Sequence, residues 1–421
     1  MSRKNSATLK AAFVIALIAI FATACGKGLV DPGDTGIPAA LTSLPRPLTA
    51  TETQLRDAAN DFSFALLGTI NATQANSNVF ISPLSASFAL GMTMNGAANT
   101  TFSEMRTALQ LRNMSQEEIN GGYKSLLELL VALDPAVQLR LANSIWYRNS
   151  FPFKQTFFDS TAKYFFANVQ ALNFNDRAGS LSTINSWANI ATNSRIPTVL
   201  DDIDDSAVMF LINAIYFKGS WRDRFDASET ATSTFVTASG ASQPARLMHR
   251  TGDISYAETA AYQAADLSYG NSAFSMMVVL PKAGNDVNAV AKSFNTAAFQ
   301  TLSSTMGHST VNFSMPKIKL SYERQLKGDL NTLGMRVPFT DSADFSKMTP
   351  QAVSISFVKQ NSFVDINEEG TEAAAVTTVG VHTTAAPVTI AMRVDRPYLF
   401  IIRERLSGTI LFMGKIASVP Q

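Results

Sequence analysis

Residues Asn367–Met392 read NEEGTEAAAVTTVGVHTTAAPVTIAM. The stretch opens with glutamates on either side of Gly370 and then runs in small residues. It holds no lysine or arginine from Thr371 to Met392. It is too apolar and threonine-rich for a polar linker, yet it lacks the large side chains of a core strand. Taken alone, its composition suits a tolerant surface loop. A segment made to be buried is the other reading, and the rest of the chain has to decide between them.

Working outward, β-like runs flank the segment at Ser354–Ile366 and Tyr398–Phe412, and more lie upstream at Val208–Phe217, Phe274–Leu280 and Val311–Leu320. Helical spacing comes earlier. In Glu52–Ile70, residues Leu55, Ala58, Ala59, Phe62, Ala65, Leu66 and Ile70 share one face. Ser82-Pro83 predicts the start of a second helix, because serine caps and proline suits the first turn. Helices early and strands late, in a chain of 421 residues that is 46% hydrophobic and 16% charged, point to an α+β fold. Length alone would suggest two domains, but no second linker or internal repeat is visible after Thr51.

The first 25 residues, MSRKNSATLKAAFVIALIAIFATAC, place Arg3, Lys4 and Lys10 before an apolar run from Ala11 to Ala22. That run is too short to span a bilayer and reads as a secretory signal over residues 1–24. The only cysteine, Cys25, follows Ala22-Thr23-Ala24. Small residues there suit an ordinary signal peptidase. A cysteine directly after the cut resembles the lipobox of bacterial lipoproteins and is favoured, although the usual leucine is replaced by Ala22. Acylation at more than one point would anchor the chain firmly. The expectation is a chain secreted across the inner membrane and held at the cell envelope as a lipoprotein, otherwise periplasmic or extracellular. Residues 25–50, rich in Gly, Pro and Thr, are expected as a flexible tether, with the folded domain over 51–421. Losing residues 1–24 removes three positive charges and no negative ones, taking the formal net charge from +1 to −2. Nucleic acid is not an expected partner, and one cysteine excludes internal disulfides.

Conventional catalysis finds no constellation. The three histidines are His249, His308 and His382, and no metalloprotease, paired-cysteine, nucleophile-elbow or phosphate-loop motif occurs. His249, in RLMHRTG, is expected in an exposed loop or at a strand end. The pairs Asp201-Asp202 and Asp204-Asp205 read as solvated capping carboxylates rather than a metal site.

Six stretches, in order, resemble the serpin family of protease inhibitors: NVFISPLSASFALGMTMNGAANTT at 78–101, LANSIWYRNSFPFKQTFF at 141–158 and FLINAIYFKGSWRDRFD at 210–226, then MPKIKLSYERQLKGDLNTLGM at 315–335, FVDINEEGTEAAA at 363–375 and DRPYLFIIRERLSGTILFMGKI at 395–416. The resemblance implies three β-sheets, eight or nine helices and an exposed reactive-centre loop over about 368–392. It implies a monomer, no enzyme, no cofactor and no metal. The implied activity is suicide-substrate inhibition of serine proteases, with cysteine proteases a further option. The loop is cut, an acyl-enzyme forms, and the loop enters the central sheet while the bound protease is distorted. Residues Glu368, Glu369, Gly370, Thr371, Glu372, Ala373, Ala374 and Ala375 match the hinge.

The quoted stretch meets the demands of that mechanism. An inserted strand alternates faces, so Thr371, Ala373, Ala375, Thr377 and Val379 would share one side, all small or β-branched. Glu372, Ala374, Val376 and Thr378 would take the other, where Glu372 needs only water or one partner. Proline would block central pairing, and the first comes at Pro387.

The resemblance also assigns Ser82, Ser85 and Asn213 to a polar cluster beneath the central sheet and Trp221 to the place where the loop enters. Ser82 as a helix cap and Trp221 as core are the plainer roles. A histidine is usual where Gln360 stands. Glutamine can still donate and accept but gains no charge at low pH, so no histidine-driven pH response is expected; insertion rates rising steeply between about pH 7 and pH 5.5 would refute this. The family's usual spacing puts the cut at Thr384–Ala385. Counting back from Pro397 gives Ala386–Pro387, where the proline is poorly tolerated. The small residues there imply a covalent complex with proteases of elastase-like or subtilisin-like specificity. A non-inhibitory serpin cut as a substrate, or a surface binding or chaperone-like protein, is the alternative.

Overall fold

The computed structural model describes residues 39–372 and 389–420. Nine α-helices and fifteen strands, numbered along the chain, lie among them. The first helix, α1 (Ala50–Thr73), starts at a capping box in which Thr49 and Glu52 satisfy each other's backbone N–H groups. Its buried side is wider than the expected stripe, because Phe64 also packs on Phe294 and Phe299. Ser82 caps α2 (Pro83–Met94) with Pro83 in the first turn, and nearly every residue of that helix is buried. The remaining helices are α3 (Asn99–Ala108), α4 (Gln116–Ala132), α5 (Gln155–Phe165), α6 (Arg177–Ala191), α7 (Val287–Ser293), α8 (Thr296–Thr305) and α9 (Lys327–Thr332).

The folded body begins earlier than composition suggests. Leu41, Leu44 and Leu48 pack against the core, the Leu41 N–H donates to the Asn271 carbonyl at 2.6 Å, and Arg46 pairs with buried Glu52 at 2.6 Å. Residues 41–50 therefore belong to the domain rather than to the tether. Cys25 lies outside the described residues.

One sheet has nine strands: β1 (Val79–Ile81), β15 (Ile410–Ile416), β14 (Tyr398–Glu404), β8 (Phe274–Pro281), β7 (Tyr262–Ser268), β6 (Ser242–Glu258), β9 (Gly307–Pro316) and β13 (Ile390–Arg393) in that order, with β5 (Ala231–Val236) beside β6. Two of the three expected sheets are thus continuous, because the 17-residue β6 pairs with β5, β7 and β9 along its length. His249 sits inside β6 opposite Ser314, not in a loop. The run Tyr398–Phe412 is two strands separated by a turn, and Val311–Leu320 breaks at Lys317 into strands of different sheets.

The second sheet has the order β10 (Ile318–Gln325), β11 (Lys359–Asn367), β12 (Gly370–Thr371), β4 (Met209–Ser220), β2 (Gln138–Arg148) and β3 (Asn168–Leu172). Residues 354–358, expected as strand, are not paired, and β11 starts only at Lys359. Both ends of the expected 368–392 loop also lie in sheets: Gly370–Thr371 as β12 and Ile390–Arg393 as β13.

Candidate functional site

β12 is two residues long and antiparallel to both neighbours. Gly370 pairs with Asn367 and Ser220, and Thr371 with Ile366 and Gly219. The next N–H, on Glu372, donates to the Asp365 carbonyl at 2.9 Å. Beyond that rung, β4 and β11 run side by side and share no pairing among the described residues. A cavity of about 930 Å³ lies between them, lined by residues 206–214 on one side and 352–361 on the other. Ala86, Ala89 and Leu90 of α2 lie on one wall and Ile196, Val199 and Leu200 on another.

Sequence chemistry explains why the hinge sits where it does. A Cβ on Gly370 would come within 2.2 Å of the Gly219 carbonyl oxygen, at a φ of +152°, so only glycine fits this rung. Thr371 is buried and its hydroxyl meets the Tyr269 hydroxyl at 2.7 Å. Trp221 stacks on Tyr269 with centroids 4.5 Å apart. Its Nε1–H donates to the Asn367 carbonyl at 2.8 Å, and its backbone N–H to Glu369 at 2.9 Å. Trp221 is both core and the wall beside the first inserted residues.

Each hinge carboxylate is met by a cation from a different part of the body. Glu368 pairs with Lys317 at 2.7 Å and accepts from the Thr230 hydroxyl at 2.8 Å. Burial opposes its charge, but Lys317 and Thr230 outweigh that and hold its carboxyl below the ordinary value. Glu369 pairs with Arg224 at 2.7 Å. Glu372 is buried and pairs with the Arg195 Nε at 3.1 Å. There, burial pushes the carboxyl up, and the nearby Tyr216 hydroxyl and Arg195 offset it only in part. Ala373, Ala374, Ala375, His382, Thr384 and Ala385 lie outside the described residues.

Partway along the gap the polar residues form a rail. Gln360 donates from Nε2 to the Ser82 carbonyl at 2.7 Å and accepts from the Ser82 N–H at 3.3 Å. The Ser82 hydroxyl accepts from the Ser85 N–H at 3.3 Å and donates to the Leu411 carbonyl at 2.8 Å. The Ser85 hydroxyl donates to Asn213 Oδ1. Asn213 donates to Asn143 at 2.6 Å, and Asn143 to the Phe165 carbonyl at 2.8 Å. Ser82, Ser85, Asn213 and Gln360 are thus brought together, while Trp221 stands apart at the hinge. Sequence reasoning missed Asn143, Arg195, Tyr216 and Tyr269. Asn143 and Tyr216 carried a signal, since they sit in the quoted stretches at 141–158 and 210–226; Arg195 and Tyr269 lie in none. The acid pairs at 201–205 are exposed; Asp205 meets Arg177 at 2.5 Å and Asp201 meets Lys359 at 3.2 Å.

A central sheet with a two-residue hinge strand above a vacancy defines a class, and comparison with known proteins gives the same one. Residues 57–419 match the family model "Serpin (serine protease inhibitor)", and this chain belongs to the serpin family. It is 31% identical to Iripin-1 of Ixodes ricinus over 375 residues, covering 87% of this chain and 95% of that protein. It is 31% identical to Serpin B8 of Bos taurus over 373 residues, covering 86% and 99%. Among solved structures, the thermophilic serpin Tengpin in its native state superposes with a TM-score of 0.80 at 29% identity, covering 91% of this chain and 98% of that one. Human thyroxine-binding globulin, with a TM-score of 0.81 at 24% identity, covering 88% and 100%, shares the fold. Membership gives the chain the general kind of a protease inhibitor, not an enzyme.

Proposed function

We propose that this protein traps serine proteases as a suicide substrate, with cleavage near Thr384–Ala385 and insertion of the severed loop between β4 and β11. The observation that carries this reading is one of register. Each residue past Thr371 steps one position back along β4 and one back along β11. Carried on from the observed pairs, residue 376 would lie between Ala214 and Asn361, and Thr384 between Ser206 and Val353. Those are the limits of the cavity lining but for one residue on the β11 side. Thr377 would fall between Asn213 and Gln360, so the polar rail would receive a hydroxyl-bearing residue.

The dozen residues from 373 to 384 span about 40 Å at roughly 3.3 Å each. New ladder bonds worth about 0.5–1.5 kcal/mol net apiece would total on the order of 10 kcal/mol. Misplacing one oxyanion-hole donor costs a protease only about 3–4 kcal/mol, so a protease dragged that far would stop before deacylation. Val381, Thr383, Thr384, Ala385 and Ala386 favour elastase-like or subtilisin-like targets. A trypsin-like enzyme would need a basic residue, and Arg393 and Arg396 lie in β13 and just past it, where Arg393 pairs with Asp395 at 3.2 Å and Arg396 with the same residue at 3.0 Å.

The test is to mix the mature protein with pancreatic-type elastase and run a denaturing gel. A band of complex mass with matching loss of protease activity is expected. Quantitative cutting with no enzyme lost would overturn the reading in favour of a substrate-type serpin. We also propose that Cys25 is lipidated and that residues 25–40 tether the body to a membrane. Metabolic labelling with a fatty acid, lost in Cys25→Ala, is the expected result, and label-free protein would refute it.

A further inference from the structure

We infer that Arg195 is a positioning residue that sets the register of the entering loop by holding Glu372 on the outer face of the central sheet. The inference rests on the insertion reading above and adds what tells the strand which way round to enter.

The problem is physical. In a strand, a slip of one residue moves every side chain to the opposite face. The segment that follows Thr371 reads EAAAVTTV, with repeated alanines and paired threonines. Such a run fits either face almost equally well and marks no register by shape. Its one charged residue is Glu372; from Ala373 to Met392 there is no acid, lysine or arginine. In the wrong register that carboxylate would enter the core beside Tyr269, which is fully buried and stacked on Trp221.

Arg195 is placed to prevent this. It follows α6 in the polar segment that leads toward β4, and its guanidinium lies over the Phe363 ring of β11 at 5.4 Å while its Nε meets Glu372 at 3.1 Å. Along β11, Gln360, Ser362, Val364 and Ile366 are buried and the odd-numbered residues between them are half-buried. Phe363 packs with the cluster under α6, which includes Trp146, Phe174 and Ile184. Arg195 therefore marks the outer face. Glu372 opposes Asp365, an outer-face residue, while Thr371 before it turns inward to Tyr269.

The Glu372 backbone is left-handed, with φ of +57°, so this residue departs from the extended strand with its rung only half made. This state is strained for a non-glycine residue and would relax as the strand extends. The carboxylate's raised pKa agrees with a pair kept for placement rather than for stability. Arg195 is the nearby cation, the Tyr216 hydroxyl of β4 favours the charged form, and Asp365 of β11 opposes it.

The experiment compares wild type, Arg195→Ala, Arg195→Lys, Glu372→Gln and the double exchange Arg195→Glu with Glu372→Arg. Two readouts are taken after elastase: the ratio of covalent complex to freely released cut chain, and the rise in Tm on clipping. Arg195→Ala and Glu372→Gln are expected to lower the complex ratio about five- to tenfold and to shrink the Tm rise, with the intact Tm little changed. Arg195→Lys should keep most of both, and the double exchange should recover at least about half of the lost ratio. A general packing role for Arg195 would not be rescued by exchange. Single variants within about twofold of wild type, or a double exchange no better than either single, would overturn the inference. A wild type whose Tm does not rise on clipping would instead overturn loop insertion itself, and that is visible before any variant is compared.

Discussion

The strands β14 and β15 are mostly apolar while β11 reads KQNSFVDIN, and the β14–β15 pair is closed where β4 and β11 are not. Every residue of β14 and β15 is buried, and the two are paired along their length. Phe400 packs directly on Gly414 of the facing strand, where a Cβ would come within 2.1 Å of the ring. Phe80 then stacks against Phe400 and Phe412 at 5.7 and 5.3 Å. No further strand could enter there. Between β4 and β11 burial is mixed, Asn213 and Gln360 bond to the start of α2, and a cavity remains. The closed pair is a packed seam of the body, and the open pair leaves a cavity between strands that share no ladder among the described residues.

The largest test of this contrast is clipping. If the vacancy is filled, the nicked protein should gain on the order of 10 kcal/mol, and its Tm should rise by about 10–15 °C in a melting scan. In the closed sheet, Phe400→Ala should cost about 3–5 kcal/mol in denaturant unfolding, by nearly the same amount for intact and clipped protein. A variant that hurt only one form would break the comparison. Next comes Thr371→Arg, which would bury an unpaired charge beside Tyr269. Intact stability measured by denaturant should fall by about 1–3 kcal/mol as the hinge is expelled, and covalent trapping should be lost while cutting continues. Asn143→Ala removes the far end of the polar rail and should cost about 1–3 kcal/mol, with faster insertion read from complex formation.

The smallest effect is on pH. Glu372 has a raised carboxyl pKa when docked and an ordinary one when the hinge is out. The docked state therefore binds the proton more tightly, and docking strengthens as pH falls from neutral toward the ordinary carboxylate range. Amide exchange at residues 370–372 should slow accordingly, and Glu372→Gln should flatten the response. A dependence that survived in Glu372→Gln would point to a histidine after all, against the expectation drawn from Gln360.

Much of this was legible in the sequence because it was local. Ser82-Pro83 marked a helix start, and the α1 spacing marked its buried face. Gly370 and the small residues after it marked a segment that tolerates burial. What stayed hidden depended on partners far along the chain. Arg195 sits in a polar stretch, NSRIP, with nothing to show that it reaches Glu372. Nor does Leu41 advertise the Asn271 carbonyl that binds it. Strand limits failed for a related reason: residues 354–358 have strand-like composition, but β10 ends at Gln325 opposite Lys359 and the chain turns there into α9.

The rail of Gln360, Ser82, Ser85, Asn213 and Asn143 has a mechanical consequence. Each lip of the gap is moored on its own to the start of α2: β11 through Gln360 to the Ser82 backbone, β4 through Asn213 to the Ser85 hydroxyl. Below the β12 rung, no pairing among the described residues ties the lips to each other. They can part, as two boats on separate lines from one quay can part, without either line being cast off.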